Sequence, residues 1–223
     1  MSAPTTARPA TIRDGIRAGM PFGAAALLLG LSFGVVARRV IGPEAAIAMS
    51  AFVFAGAAQF GSTAVLAAGG GAAAAIVAGI LLNARFLAMG VAYAPSLSGG
   101  PLRRAAEGQA VVDASWALAN RGGGRFDRNL MLGATLAQYP AWVLGTALGV
   151  LFGDAIGDPR DLGLYAIFPA FFLALLVEEA RTTRARAVAL GGAAIALALT
   201  PVAPGLPIIA ACLAAVAGAW WRA

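Results

Sequence analysis

A chain of 223 residues that is 60% hydrophobic and 12% charged, with 29 glycines and a mean hydropathy of +0.82, is far more apolar than a soluble domain, where about 45–50% of residues are apolar and about 25% charged. The composition excludes a water-soluble globule and points to an all-α, polytopic membrane protein. Its net charge of +6 comes from arginine, with no lysine or histidine, and such loop charge bears on membrane orientation rather than on nucleic acid. A single cysteine, Cys212, excludes an internal disulfide and a cysteine cluster. Without histidine the usual zinc and haem ligand sets are missing too, so neither metal nor cofactor is expected.

Residues 1–18 form a polar, Pro/Thr-rich tail with no short apolar core before a cleavage site, which reads as retained rather than as a signal peptide. Residues 19–223 read as a single transmembrane domain. A span needs about 20 mostly apolar residues. Runs of that kind lie at Gly19–Ala37, Ala45–Ala68, Ala72–Ala94, Leu130–Phe152, Leu162–Val177, Ala187–Leu199 and Leu206–Trp221, so seven crossings are expected, the sixth being short. Between the third and fourth, residues 101–128 include a helical stretch, Ala105–Asn120, whose Glu107 and Asp113 make it too polar to face lipid. It lies at the interface, dips in as a re-entrant segment, or crosses. Arginine asymmetry is nearly the same whether the chain crosses seven times from outside or eight times from inside. Both arrangements put the C-terminus inside, where Trp220 and Trp221 beside Arg222 suit an interfacial anchor.

A weak internal repeat lays PFGAAALLLGLSFG, Pro21–Gly34, on PAWVLGTALGVLFG, Pro140–Gly153, without a gap. Two copies at 19–94 and 130–199, three spans each, would be inverted relative to each other, with broken helices meeting at mid-membrane.

Polar residues inside these runs mark where function is expected. An arginine at the bilayer centre costs about 2.5–3.5 kcal/mol on insertion scales, so Arg85, about 13 residues into LLNARFLAMG's span, must face a cavity or a counter-charge. Asn83 lies about 200° away around the same helix and so faces a different partner. In the second run, FAGAAQFGSTAV brackets Gln59 between Gly56 and Gly61, as an unwound helix requires, although small residues also simply allow close packing. Pro169 would interrupt the fifth run and supply the matching break. The acids Asp113, Glu178 and Glu179 are candidate partners for Arg85. Glu178 and Glu179 sit at the polar end of a span beside Arg181, whereas Asp113 is surrounded by apolar residues in VVDASWAL. Burial disfavours the charged form of an acid, which makes Asp113 the candidate titrating group.

These motifs resemble the AzlC family, the large subunit of AzlC/AzlD-type branched-chain amino acid exporters. The resemblance runs from GMPFGAAALLLGLSFG through MSAFVFAGAAQF and LLNARFLAMG to VVDASWAL, and its specific parts are A-G-x-x-Q-F and N-x-R. Family members often carry Asp-Glu where this chain has Asp113-Ala114, so a role that needs a carboxylate pair falls to Asp113 alone. The resemblance implies a multi-pass protein of the bacterial inner membrane that exports L-valine and related amino acids together with a small AzlD-like membrane subunit. Beside that implication, the residues suit a zwitterion. Arg85 or a half-helix N-terminus would meet its carboxylate, backbone carbonyls, Gln59 or Asp113 its ammonium, and Phe54, Phe60 and Phe168 would wall a small apolar pocket. Gln59, Asn83, Arg85, Gly56 and Pro169 are therefore the expected substrate site and Asp113 the expected proton carrier. The rival is a passive channel for a small solute or anion lined by Gln59, Asn83 and Arg85. An enzyme is disfavoured: no histidine, activated nucleophile or Asp-rich diphosphate motif is present.

Overall fold

Thr11 opens the first helix with a reciprocal cap. Its hydroxyl accepts the Asp14 N–H at 3.2 Å while the Asp14 carboxylate accepts the Thr11 N–H at 2.9 Å. Helix α1 therefore runs over Ile12–Ile41, starting inside the stretch expected to be tail. The computed structural model describes residues 10–156, 170, 173, 176, 177 and 180–199. After α1 come α2 (Pro43–Phe52), α3 (Gly56–Ala67), α4 (Ala72–Tyr93), a 3₁₀ turn (Ala94–Ser96), α5 (Pro101–Gly108), α6 (Asp113–Ala119), α7 (Arg128–Ile156) and α8 (Thr183–Leu199). No strand occurs among the described residues; one isolated bridge, Asn120 to Phe126, closes the loop before α7.

The scaffold is the pair α1 and α7. Gly15 lies against Asn129–Gly133, Gly19 against Ala134, Gly30 against Trp142 and Gly34 against Thr146 and Val150, so the two helices advance together. Their ends agree: the Asn129 amide donates to the Ala10 carbonyl at 2.7 Å, and Arg38 pairs with Asp154 at 2.9 Å. The contact is backbone to backbone. A Cβ on Gly34 would strike the Thr146 carbonyl, and one on Gly149 the Leu31 carbonyl, the close approach that small residues four apart permit in membrane helices. Since α1 and α7 are parallel, the expected pairing of Pro21–Gly34 with Pro140–Gly153 does not relate inverted copies.

Among the described residues, three stretches are long and apolar enough to cross a membrane: Ile12–Ile41, Ala72–Ser96 and Arg128–Ala155. The second expected span, Ala45–Ala68, is instead a re-entrant hairpin. From the C-terminal end of α1, α2 descends until Ser50 and Ala51 meet Thr146 and Tyr139 of α7. The chain turns at Val53–Ala55, and α3 climbs back so that Phe60 stacks edge-on against Phe33 with ring centroids 5.4 Å apart. Ser62 then donates to the Ala75 carbonyl, one turn into α4, at 2.8 Å. Helix α4 runs antiparallel to α1 and α7, its Tyr93 packing on Phe126 just before α7. From there α5 and α6 form a second hairpin that enters from the opposite side. Glu107 is held by Arg128 at the start of α7, Ala110 accepts from Thr135 further in, and Ala119 returns to accept the Asp127 N–H. Residues 101–119 thus form two short helices, Pro101–Gly108 and Asp113–Ala119, joined by a tight turn.

Each hairpin covers its own apolar cluster, Leu29, Phe33, Ala46, Trp142 and Val150 under the first, and Tyr93, Val111, Leu130 and Met131 under the second. Helix α8 contains the expected sixth run. The fifth and seventh runs fall largely or wholly outside the described residues, as do Cys212, Phe168 and Pro169, so the seven-span count stays an expectation.

Candidate functional site

The first hairpin turns without glycine at its tip. Phe54 takes φ +43°, a left-handed conformation that is a genuine outlier for a bulky residue. Gln59 holds the turn together. Its side chain is fully buried; Oε1 accepts the Ala55 N–H at 3.1 Å, and Nε2 donates to Ser50 Oγ at 3.0 Å. Trp142 Nε1 also donates to Ser50 Oγ, at 3.1 Å. With two bonds accepted, the Ser50 proton is left to donate to Thr146 Oγ1 at 2.8 Å, and Thr146 donates onward to the Trp142 carbonyl. The break thus lies immediately before the Gly56–Gly61 bracket, and Gln59 is its clamp inside α3.

The second hairpin turns at Gln109–Val112, where Ser115 Oγ accepts the Val112 N–H at 3.1 Å and donates to the Ala110 carbonyl at 2.7 Å. Its return helix begins with Asp113. Arg85 of α4 meets that carboxylate in a two-pronged pair, Nε to Oδ1 and an Nη to Oδ2, both at 2.9 Å. The side chains are 24% and 22% exposed. Such a fork-to-carboxylate geometry is among the stronger charge-assisted arrangements.

The two tips meet. A cavity of about 60 Å³ is bounded by Phe54, Ala55, Gly56 and Ala57 of the first hairpin and Val112, Asp113 and Ala114 of the second. Phe22, Ala26 and Leu29 of α1, Phe86 of α4, and Gln138 and Trp142 of α7 complete the wall. These positions on α1 lie about 15–25 Å along a helix of about 45 Å, close to its middle. The volume holds roughly four or five waters, so anything of amino-acid size requires the hairpins to part. The first N–H groups of α3, at the cavity-lining Gly56 and Ala57, have no partner within the helix by position and carry the positive end of its dipole. Asp113 supplies the opposite sign.

Asp113, Gly56 and Phe54 are thus brought to one cavity. Arg85 stands behind Asp113 and is not part of the wall. Asn83 faces the other way, as its 200° offset requires, into a groove shared with Met49, Val53, Ser62 and Gly79, where its buried Oδ1 has no partner. Gln59, Asn83 and Arg85 occupy three separate surroundings and do not line a common passage. Phe60 packs in the core against Phe33. Pro169 and Phe168 lie outside the described residues. The sequence reading passed over Gln138 and Trp142 in the wall and Ser50 in the clamp; Gln138, an amide in the apolar run before Pro140, carried the same signal that singled out Gln59.

No group of three or more His, Cys, Asp or Glu side chains suited to a metal occurs among the described residues. At the outer end of the second hairpin Glu107 is 6% exposed. It accepts from Arg128 Nε at 2.7 Å and from Arg103 Nε at 2.9 Å. The Arg128 and then Arg103 hydrogen bonds push its carboxyl down to about 2.

Paired half-length hairpins meeting over a partly buried ion pair between long apolar helices define an integral membrane protein. The family model described as AzlC protein matches residues 21–156, which hold both hairpins and all the cavity-lining residues, and the chain belongs to the AzlC family. Its relatives are membrane proteins. The inner membrane protein YgaZ of Escherichia coli is 28% identical over 231 residues, covering 96% of this chain and 93% of YgaZ. A membrane protein of Archaeoglobus fulgidus is 32% identical over 194 residues, 86% of this chain and 85% of that one. A Helicobacter pylori membrane protein is 25% identical over 161 residues, 70% of each chain. No solved structure matches the chain.

Proposed function

We propose that this protein is a secondary transporter of the bacterial inner membrane that exports branched-chain amino acids such as L-valine, working with a small AzlD-like membrane subunit. The observation that carries the proposal is the apposition of an acceptor and a donor set across one apolar cavity: Asp113 on the second hairpin and the N-terminus of α3 on the first. A zwitterion bridging them places its ammonium on Asp113 and its carboxylate on the Gly56 and Ala57 N–H groups. Its side chain lies among Phe22, Phe54, Phe86 and Trp142, walls that suit a small branched alkyl group.

Arg85 acts as a positioning residue. Its fork fixes both oxygens of Asp113 and keeps the carboxylate aimed between the hairpins. Ammonium and proton then compete for the same group. A proton arriving from outside expels the amino acid, and its departure inward frees the carboxylate for the next cytoplasmic substrate, so proton entry is exchanged for export. The halves that move against each other are α1 with the first hairpin and α4 with the second, since each long helix is followed by a hairpin entering from its C-terminal end.

The test is efflux. Cells lacking their own branched-chain exporters are loaded with a valine-containing dipeptide, and valine release is followed with and without this protein and a co-expressed small subunit. Release against a gradient, lost in Asp113→Ala and Arg85→Ala at equal membrane abundance, is expected. Gradient-following flow alone would favour a channel, and no valine movement would refute the cargo.

A further inference from the structure

We infer that Phe54 is the gate between the central cavity and the side of the membrane on which α1 and α7 begin. A second, larger hollow of about 590 Å³ lies on that side, bounded by Ile12 at the start of α1, Leu132 and Leu136 of α7, and Gln109 of the second hairpin. Phe54 borders both hollows. The neighbouring α7 residues Gln138 and Tyr139 divide between them, Gln138 lining the inner one and Tyr139 the outer. The Phe54 ring therefore stands at the junction.

Three further observations make it a gate rather than wall. The ring is held edge-on by Tyr139, centroids 5.1 Å apart, with planes at 89°, a contact that a rotamer change breaks at modest cost. The backbone beneath it is strained at φ +43°, a conformation that an aromatic side chain keeps only when its surroundings impose it. Those surroundings are anchored on both sides: the Tyr139 hydroxyl donates to the Ala51 carbonyl at 2.8 Å, and Gln59 holds the Ala55 N–H. Two fixed points thus flank a strained residue, so a χ1 change at Phe54 swings the ring while α2 and α3 stay in place. The inference concerns access alone and holds whatever the cargo or coupling ion.

The chain has one native cysteine, so thiol labelling reads access directly. In a Cys212→Ser background, Ala57→Cys reports the inner cavity and Leu136→Cys the outer hollow. Both are treated in membrane vesicles with a permanently charged, membrane-impermeant methanethiosulfonate. With Phe54 in place, position 136 is expected to label at least tenfold faster than position 57. Phe54→Gly, which relieves the backbone strain and removes the ring, is expected to raise labelling at 57 at least tenfold and leave 136 within twofold. Phe54→Asn, which also tolerates the left-handed conformation, serves as a second opening variant should glycine lower membrane abundance. Labelling at 57 as fast as at 136 in the parent, or unchanged at 57 in the opening variants, would overturn the gate. Valine efflux plays no part in this readout, so failure of the transport assignment and failure of the gate are distinguished.

Discussion

Asp113→Asn and Arg85→Gln, made singly and together, test whether the pair behaves as a unit. Arg85 and Asp113 share two bonds of 2.9 Å, and each side chain is about a quarter exposed. Removing one partner of a fully buried pair costs about 3–5 kcal/mol, whereas an exposed pair contributes under about 1 kcal/mol. With the partial exposure, and because asparagine keeps one accepting oxygen, Asp113→Asn should cost about 2 kcal/mol. Arg85→Gln loses the fork and leaves a carboxylate without its counter-charge, at about 2–3 kcal/mol. The double variant carries no unmatched charge and should be less damaging than the sum, by about 1.5 kcal/mol. Unfolding of purified protein in mixed micelles of increasing SDS fraction measures all four corners of the cycle. Losses that add to within about 0.5 kcal/mol would refute the pairing.

Gly34→Val drives a branched side chain into the Thr146 carbonyl and should cost 3 kcal/mol or more, on the order of the upper range for overpacking, or abolish membrane accumulation. Gly90→Ala, with open space around its Cβ position, is the neutral control in the same expression and melting assay. Gln59→Leu leaves the buried Ala55 N–H without an acceptor and should lower stability by about 1–3 kcal/mol, read as a loss of melting temperature absent from Phe52→Ala at the exposed end of α2. Glu107 titrates in the folded protein at about 2 instead of its ordinary 4.5. Its folded-state value is depressed, so its stabilisation is complete above pH 4.5 and is lost as pH falls from 4.5 toward 2. Melting measured at pH 7, 4 and 3 should show a steeper acid loss in the parent than in Glu107→Gln; parallel curves would contradict this.

How much of this was legible depended on whether the physics left a mark on residue type. Arg85 was legible because a charge in an apolar run demands a partner, and Asp113 because it stands alone among apolar neighbours. The separation of Asn83 from Arg85 followed from helical periodicity. The first hairpin was not legible. Two half-helices of 10 and 12 residues with a three-residue turn present the same apolar length as one span, and the turn, Val53-Phe54-Ala55, contains neither glycine nor proline. The left-handed backbone is imposed there by the Gln59 clamp and by Tyr139, both distant from anything composition reveals. The α1–α7 scaffold was written as glycines four apart on each helix, Gly30 and Gly34 against the Trp142, Thr146 and Val150 backbone, Gly145 and Gly149 against that of Leu27, Leu31 and Val35. In so glycine-rich a chain that pattern stood out only once the facing backbones were known.

The most direct test of the proposed coupled export is transport by the purified protein, together with the proposed small subunit, in sealed proteoliposomes loaded with labelled valine and given an imposed pH gradient. Uphill valine movement that collapses with a protonophore is predicted, and Asp113→Asn should lose that accumulation. Downhill flux indifferent to the pH gradient, and unchanged in Asp113→Asn, would contradict the account.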